Sequence, residues 1–206
     1  MDVRLTKADY MAIGRNDANF LLNKGAQYYR EEKYSLAIEY YRLAAAMGNK
    51  QSYANLGYCY MYARSVPKNM SLALAYFKLA AQADNLDALY KLGSIYLYGT
   101  AGIPQDVETG LYYYQTAIKL FFKDYDYDIK DYPNLFFAVG KEHLPGGQLI
   151  CDLQTAYNFL TYAQEGFTQE IANGITYHRK ELSQVEELLQ ADYFAPLRAE
   201  EEADEE

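Results

Sequence analysis

Residues 54–60 read Ala54-Asn55-Leu56-Gly57-Tyr58-Cys59-Tyr60, and residues 90–96 read Tyr90-Lys91-Leu92-Gly93-Ser94-Ile95-Tyr96. The two glycines, Gly57 and Gly93, are 36 residues apart. A second motif keeps the same step. Tyr40-Tyr41-Arg42-Leu43-Ala44-Ala45 anticipates Tyr76-Phe77-Lys78-Leu79-Ala80-Ala81, and Ala45, Ala81 and Ala117 follow one another at intervals of 36. Self-similarity at one fixed period is the signature of a repeat array, in which each unit buries its apolar face on the next. A weaker fourth copy passes through Gly140 and Ala163. Ala163 lies 46 residues beyond Ala117, so an insertion separates the third copy from the fourth.

Each copy reads as two helices. Tyr53, Leu56, Gly57 and Tyr60 stand at i, i+3, i+4 and i+7, one face of a helix, and Ala73, Phe77, Ala80 and Ala81 keep helical spacing too. Between them Pro67 marks a turn, because proline in a helix interior removes a hydrogen bond and clashes with the preceding turn. Ser71 is the expected N-cap of the second helix. The third copy repeats this plan with Gly99, Gly102 and Pro104 in the turn and Asp106 at the next helix start. Gly25, Gly57, Gly93 and Gly140 fall in mid-helix, where glycine costs about 1 kcal/mol relative to alanine. Close helix contact accounts for their recurrence, and the expected partners are Ala37, Ala73, Gly110 and Ala156.

The pattern Leu-Gly-x-x-Tyr, a turn with Val/Ile-Pro, and Ala-x-x-Tyr-Phe/Tyr-x-x-Ala resembles the Sel-one-like repeat, a subfamily of the tetratricopeptide repeats. That family has a turn four residues longer than the plain tetratricopeptide unit. Gly57 to Ala81 and Gly93 to Ala117 are each 24 residues, whereas Gly25 to Ala45 is 20, so the first copy resembles the plain unit. In the fourth, His143 replaces the usual Tyr and Pro145-Gly146-Gly147 forms the turn. The resemblance implies an all-α, right-handed α-α superhelical solenoid of about four helix-turn-helix repeats with a C-terminal capping helix.

The expected organisation is a lead-in over 1–16, repeats over 17–50, 51–85, 86–120 and 133–166, and an insertion over 121–132. A capping helix over 167–194 follows, carrying Ile171, Ile175, His178, Leu182, Val185, Leu188 and Leu189; a dimerisation helix is the other reading of that stripe. Residues 195–206 form an acidic tail with Glu200, Glu201, Glu202, Asp204, Glu205 and Glu206, a charge run expected to be disordered.

Composition narrows the function classes. Half of the 206 residues are hydrophobic, 24 are Tyr and none is Trp, so the chain can bury a core. The formal net charge of -9 repels phosphate backbones and anionic lipid, so neither nucleic acid nor membrane is an expected partner. Cys59 and Cys151 make neither a disulfide framework nor a zinc spacing. The start lacks a signal peptide's apolar stretch and no window approaches 18 apolar residues, so a cytoplasmic protein, monomeric rather than assembled, is expected.

Constellations for chemistry are absent. Asp124-Tyr125-Asp126-Tyr127-Asp128 begins like a calcium loop, but the sixth and twelfth positions are Ile129 and Leu135, where that loop requires Gly and Glu. His143 and His178 lack ligand-spaced neighbours. Neither a phosphate-cradling glycine loop nor a Gly-x-Ser-x-Gly elbow occurs. No catalytic activity, metal or cofactor is expected.

In tetratricopeptide solenoids the first helix of each repeat lines a concave surface. Aligned on the four glycines, the family's groove positions fall on Asn19, Leu22, Ala26, Tyr29 and Arg30, then on Gln51, Ala54, Tyr58, Met61 and Tyr62. In the third repeat they fall on Asp87, Tyr90, Ser94, Leu97 and Tyr98, and in the fourth on Asn134, Phe137 and Lys141. Ala26 and Ala54 replace residues needed by the family's carboxylate-clamp variant. The expected function is a non-catalytic protein-protein interaction adaptor. Its groove, lined by Tyr29, Arg30, Gln51, Tyr58, Met61, Tyr62, Asp87, Tyr90, Ser94 and Tyr98, would hold a protein or peptide segment. The rival reading is an acidic inhibitor or immunity-type protein that masks a basic partner.

Overall fold

A computed structural model describes residues 4–123 and 128–204 and is helical throughout, with no strand among the described residues. It divides into two compact units, 1–106 and 107–206. The first contains α1 (Lys7–Gly14), α2 (Ala18–Arg30), α3 (Tyr34–Ala46), α4 (Lys50–Met61), α5 (Met70–Gln82) and α6 (Leu86–Tyr98). In it α2 packs on α3, α3 on α4, α4 on α5 and α5 on α6, the nearest-neighbour stacking of a repeat protein. The second contains α7 (Val107–Lys123), α8 (Pro133–Glu142), α9 (Leu153–Ala172), α10 (Arg179–Leu189) and α11 (Ala195–Asp204).

Gly25, Gly57 and Gly140 do meet the paired helix, and at each the nearest atoms belong to a larger side chain than the expected small partner, although at Gly25 the Ala37 carbonyl is also met, at 3.3 Å. A Cβ on Gly25 would lie 2.7 Å from Cδ1 and Cε1 of Tyr41, and one on Gly57 would lie 2.7–2.9 Å from three ring atoms of Phe77. On Gly140 it would lie 3.2 Å from Leu160 Cγ. Tyr41, Phe77 and Leu160 each follow the expected partner, Ala37, Ala73 or Ala156, by one helical turn. The contact is therefore led by a flat ring or branched side chain laid on bare backbone, with the Ala37 backbone beside it at Gly25. Phe77 is fully buried and Tyr41 nearly so.

Helix ends are uniform. After α1, α2, α3, α4 and α5 the second residue beyond the helix is left-handed: Asn16, Glu32, Gly48, Ala63 and Asp84 have φ between 55° and 82°. Asn16, Glu32, Gly48 and Asp84 each donate to a carbonyl in the last turn, as in Gly48 N–H to Ala45, and after all five the next residue donates further back, as in Asn49 N–H to Ala44 and Arg64 N–H to Cys59. This is the Schellman arrangement. Asn49 and Asn85 then cap the next helix, accepting from Ser52 N–H at 2.8 Å and Ala88 N–H at 2.9 Å. One residue thus closes a helix and opens another. At α5 the N-cap is Asn69, accepting from Leu72 N–H at 2.9 Å; the expected cap, Ser71, lies inside the first turn because Asn69 is the last extended residue.

The expected lead-in contains α1, fixed by a buried acid. Asp9 is fully buried and accepts from Lys24 Nζ at 2.7 and 2.9 Å, Tyr40 Oη at 2.8 Å and Thr6 N–H at 2.7 Å. Burial pushes its carboxyl up, but the hydrogen bonds from Lys24, Thr6 and Tyr40 outweigh this and hold it at about 2.

In the second unit Phe121 of α7 meets Phe136 edge-on at 4.9 Å, and Phe136 lies 5.6 Å from Phe159 of α9. Helix α7 runs to Lys123, three residues into the expected insertion; Asp124 and Asp126 of the calcium-like run lie outside the described residues. Where one capping helix over 167–194 was expected, α9 continues to Ala172, Gly174 ends it at φ 90°, and α10 packs back on α9. The backbone over Ala195–Asp204 is helical rather than an unstructured acidic tail, and just before it Phe194 packs on Tyr157 at 5.1 Å.

Two outcomes are expected. Gly57→Ala should lower stability by about 1–2 kcal/mol because overpacking against Phe77 outweighs alanine's helix preference. Gly14→Ala, with nothing within 4 Å of the added carbon, should be neutral or stabilising; chemical denaturation of both variants checks the contrast. Asp9 has a depressed folded pKa, so its contribution is complete above about pH 4 and is lost as pH falls toward 2. Between pH 5 and pH 2 the chain should lose about 2 kcal/mol more than Asp9→Asn does, measured by denaturant titration.

Candidate functional site

The fourth-repeat groove positions Asn134, Phe137 and Lys141 lie on α8 of the second unit; the ten residues expected to line the groove all lie in the first, on α2, α4 and α6 or at the ends of these helices. They form two separate groups. The larger joins α4 to α6. Tyr58 Oη donates to Tyr90 Oη at 3.1 Å. The Tyr58 and Tyr62 rings are parallel within 2° at 6.2 Å, and Phe77 supports Tyr58 from behind in an edge contact at 5.1 Å. At the N-terminal ends of the same helices, Gln51 Nε2 donates to Asp87 Oδ2 at 3.1 Å, and Asn85 Nδ2 donates to Gln51 Oε1 at 2.7 Å. Asn49 makes the equivalent bond to Asn19 at 2.9 Å one repeat earlier.

Exposure varies across the group. Tyr62 is 53% exposed and Tyr98 59%, whereas Tyr90 is only 7% exposed and backs Tyr58 from within. Ser94 turns its hydroxyl to the Tyr90 carbonyl at 3.2 Å. Met61 is half-buried at the end of α4, and the aligned positions Ala54 and Leu97 are fully buried. Burial, and the neighbouring Tyr90 and Asp87, raise the Tyr58 hydroxyl far above its ordinary pKa, so it stays protonated and keeps its donor.

The smaller group is at the far ends of α2 and α4. Tyr29 meets Tyr34 edge-on at 5.0 Å, and the Arg64 guanidinium lies over Tyr34 at 5.0 Å. Burial raises the Tyr29 hydroxyl, opposed by Arg64. Arg30 is exposed at the end of α2. Cys59 is buried beneath this group and its thiol is pushed up to about 12 by burial. It is a packed side chain rather than a nucleophile.

Lys91 was missed by the sequence reading. It stands two residues before Gly93, off the aligned groove positions, and its ammonium lies 5.5 Å from the Tyr58 ring centre and 4.9 Å from that of Tyr90. Burial lowers its pKa, with the attraction of Asp87 opposing. The available signal was the lysine itself, one residue after the motif's Tyr90.

Groups for chemistry do not converge here. Among the described residues no cluster of three or more His, Cys, Asp or Glu is arranged to hold a metal ion. His143 Nδ1 lies 3.0 Å from the Ile150 carbonyl, and His178 pairs with Glu170. A shallow recess between Lys130, Glu165 and Gln169 is wide open to solvent. No helix among the described residues is long and apolar enough to cross a membrane.

A family model for the Sel1 repeat matches residues 18–49, 50–85 and 86–120, half of the chain. The chain belongs to the Sel1 repeat family. Proteins built from Sel1 repeats generally mediate protein–protein interaction. Among solved structures, a Sel1 repeat protein from Oxalobacter formigenes is 26% identical with a TM-score of 0.61, over 75% of this chain and 60% of that one. A protective antigen of uropathogenic Escherichia coli with the SLR fold, c5321, is 19% identical with a TM-score of 0.51, over 81% of this chain and 42% of the antigen; that likeness concerns the fold alone. This chain thus spans less than two thirds of either. Comparison with the curated proteins finds no match. The matched repeats coincide within a residue or two with those read from the 36-residue period, and α8 with α9 adds a helix pair in the same glycine register beyond them.

The two thiols should differ in reactivity. Cys151 is exposed and Cys59 buried. A thiol reagent should modify one cysteine per native chain and two after denaturation, counted by intact mass.

Proposed function

We propose that this Sel1 repeat protein is a non-catalytic adaptor, and that the α4–α6 face holds a segment of a partner protein. The observation that carries the reading is the tyrosine array: Tyr62 exposed, stacked on Tyr58, which is held by the Tyr90 hydroxyl and by Phe77. A ring held on two sides loses little freedom when a partner covers it, so its burial goes into affinity. Gln51, Asp87 and the Tyr58 hydroxyl offer polar partners for a peptide backbone. Tyr29, Arg30 and Arg64 form a second contact region at the end of α2 and α4. In the rival reading the net charge of -9 masks a basic partner by long-range attraction.

Truncating a central ring separates these readings. Tyr62→Ala should cost on the order of 2 kcal/mol or more in affinity for an isolated partner, the size of an interface hot spot. With half of the ring already in water, thermal stability should change little. Unchanged binding with a collapsed melting midpoint would show that the ring serves only the fold. Charge masking predicts instead that affinity falls steeply between low and high salt and ignores Tyr62.

A further inference from the structure

Lys91 is a half-buried cation whose surroundings offer it rings but no counter-charge at contact distance. Its ammonium lies over Tyr58 and Tyr90. Among the described residues it enters no ion pair. Asp87, one turn earlier on α6, attracts it electrostatically and accepts from Gln51. The same device recurs in the second unit. On α8 the ammonium of Lys141 lies 4.3 Å from the Phe137 ring centre, and it too is in no ion pair among the described residues. Phe137 and Tyr90 occupy the same register, three residues before Gly140 and Gly93.

A lysine held against aromatic faces is partly stripped of water, and a ring quadrupole compensates only part of that loss. An arriving carboxylate completes it. In a chain of net charge -9 this is a local reversal of sign, so the complement it selects is not the one the overall charge would attract. Resting on the adaptor reading above, we infer that Lys91 is the specificity anchor of the α4–α6 face, and that the partner segment presents a carboxylate beside an apolar or aromatic side chain. The carboxylate sits against Lys91, and the apolar neighbour covers Tyr62.

Selection of a random-heptapeptide display library on the immobilised full chain tests this directly. The expected result is a motif with Asp or Glu at one fixed position next to an apolar residue, lost when selection is repeated on Tyr62→Ala. A synthetic selected peptide should bind at least about tenfold more tightly than its analogue with the acid replaced by the amide, the ratio expected of a charge-assisted contact. On Lys91→Met, which keeps the aliphatic stem, that ratio should fall to about one while the amide peptide binds as before. Tyr62-dependent peptides without an acidic position, or an acid-to-amide ratio unchanged in Lys91→Met, would overturn the anchor and leave the groove standing. No peptide whose capture depends on Tyr62 would overturn the groove reading and the anchor together. Circular dichroism and melting of both variants confirm that folded protein is compared.

Discussion

The repeats depend on a ring placed where a side chain is missing. Gly25 and Gly57 let Tyr41 and Phe77 lie within about 3 Å of where a Cβ would stand, closer than any other residue permits. Glycine in mid-helix destabilises by about 1 kcal/mol, and the buried aromatic surface gained by close approach exceeds that. The consequence reaches the surface. Phe77, seated on Gly57, also supports Tyr58 edge-on, and Tyr58 carries Tyr62. The chain of contact runs from bare backbone to core ring to half-buried ring to exposed ring. The candidate binding face is thus an outward extension of the contact that pairs α4 with α5.

A second constraint fixes how successive repeats join. Asn49 and Asn85 each close one helix with a backbone donor, cap the next with a side-chain acceptor, and reach across to Asn19 or Gln51 of the preceding first helix. Three groups of one residue are satisfied at one junction, which leaves little slack in the angle between helices. Turn length between helices within a repeat can then vary, as it does between the first repeat and the second, without disturbing the stacking.

The fold was legible because its determinants are periodic. Gly57, Gly93 and the alanine ladder repeat every 36 residues, and no other arrangement explains glycine kept in mid-helix. What the glycine touches was not legible, because Ala73 and Phe77 lie on one helical face and sequence spacing does not separate them. The left-handed turns at Glu32, Ala63 and Asp84 were invisible for a different reason. Glycine is the usual signal there, and its absence costs about 1–2 kcal/mol that the surrounding contacts must offset. Helix α1 has weak amphipathic pattern, and its anchor, the Asp9–Lys24–Tyr40 cluster, joins residues up to 31 apart that no local rule connects. Over Ala195–Asp204 the charge run was read as solvation alone, although Glu and Ala are good helix formers.

Tyrosine is what made the site only partly readable. The same residue type fills the core, as Tyr40 and Tyr114 do at 1% exposure, and faces water, as Tyr62 and Tyr98 do. Helical register placed Tyr58, Tyr62 and Tyr98 correctly off the core stripe. It failed for Tyr90, whose register matches the half-buried Leu22 and the fully buried Ala54. A larger side chain there fills space that alanine leaves, and in doing so becomes the partner of Tyr58. Burial of Tyr90 is therefore what holds the Tyr58 hydroxyl in place and gives the Lys91 ammonium a second ring. The buried tyrosine and the exposed one have different places in one array: Tyr90 sets positions, and Tyr62 presents its ring to solvent. A surface built this way is rigid before anything binds to it, and rigidity at that stage raises affinity without adding a single contact.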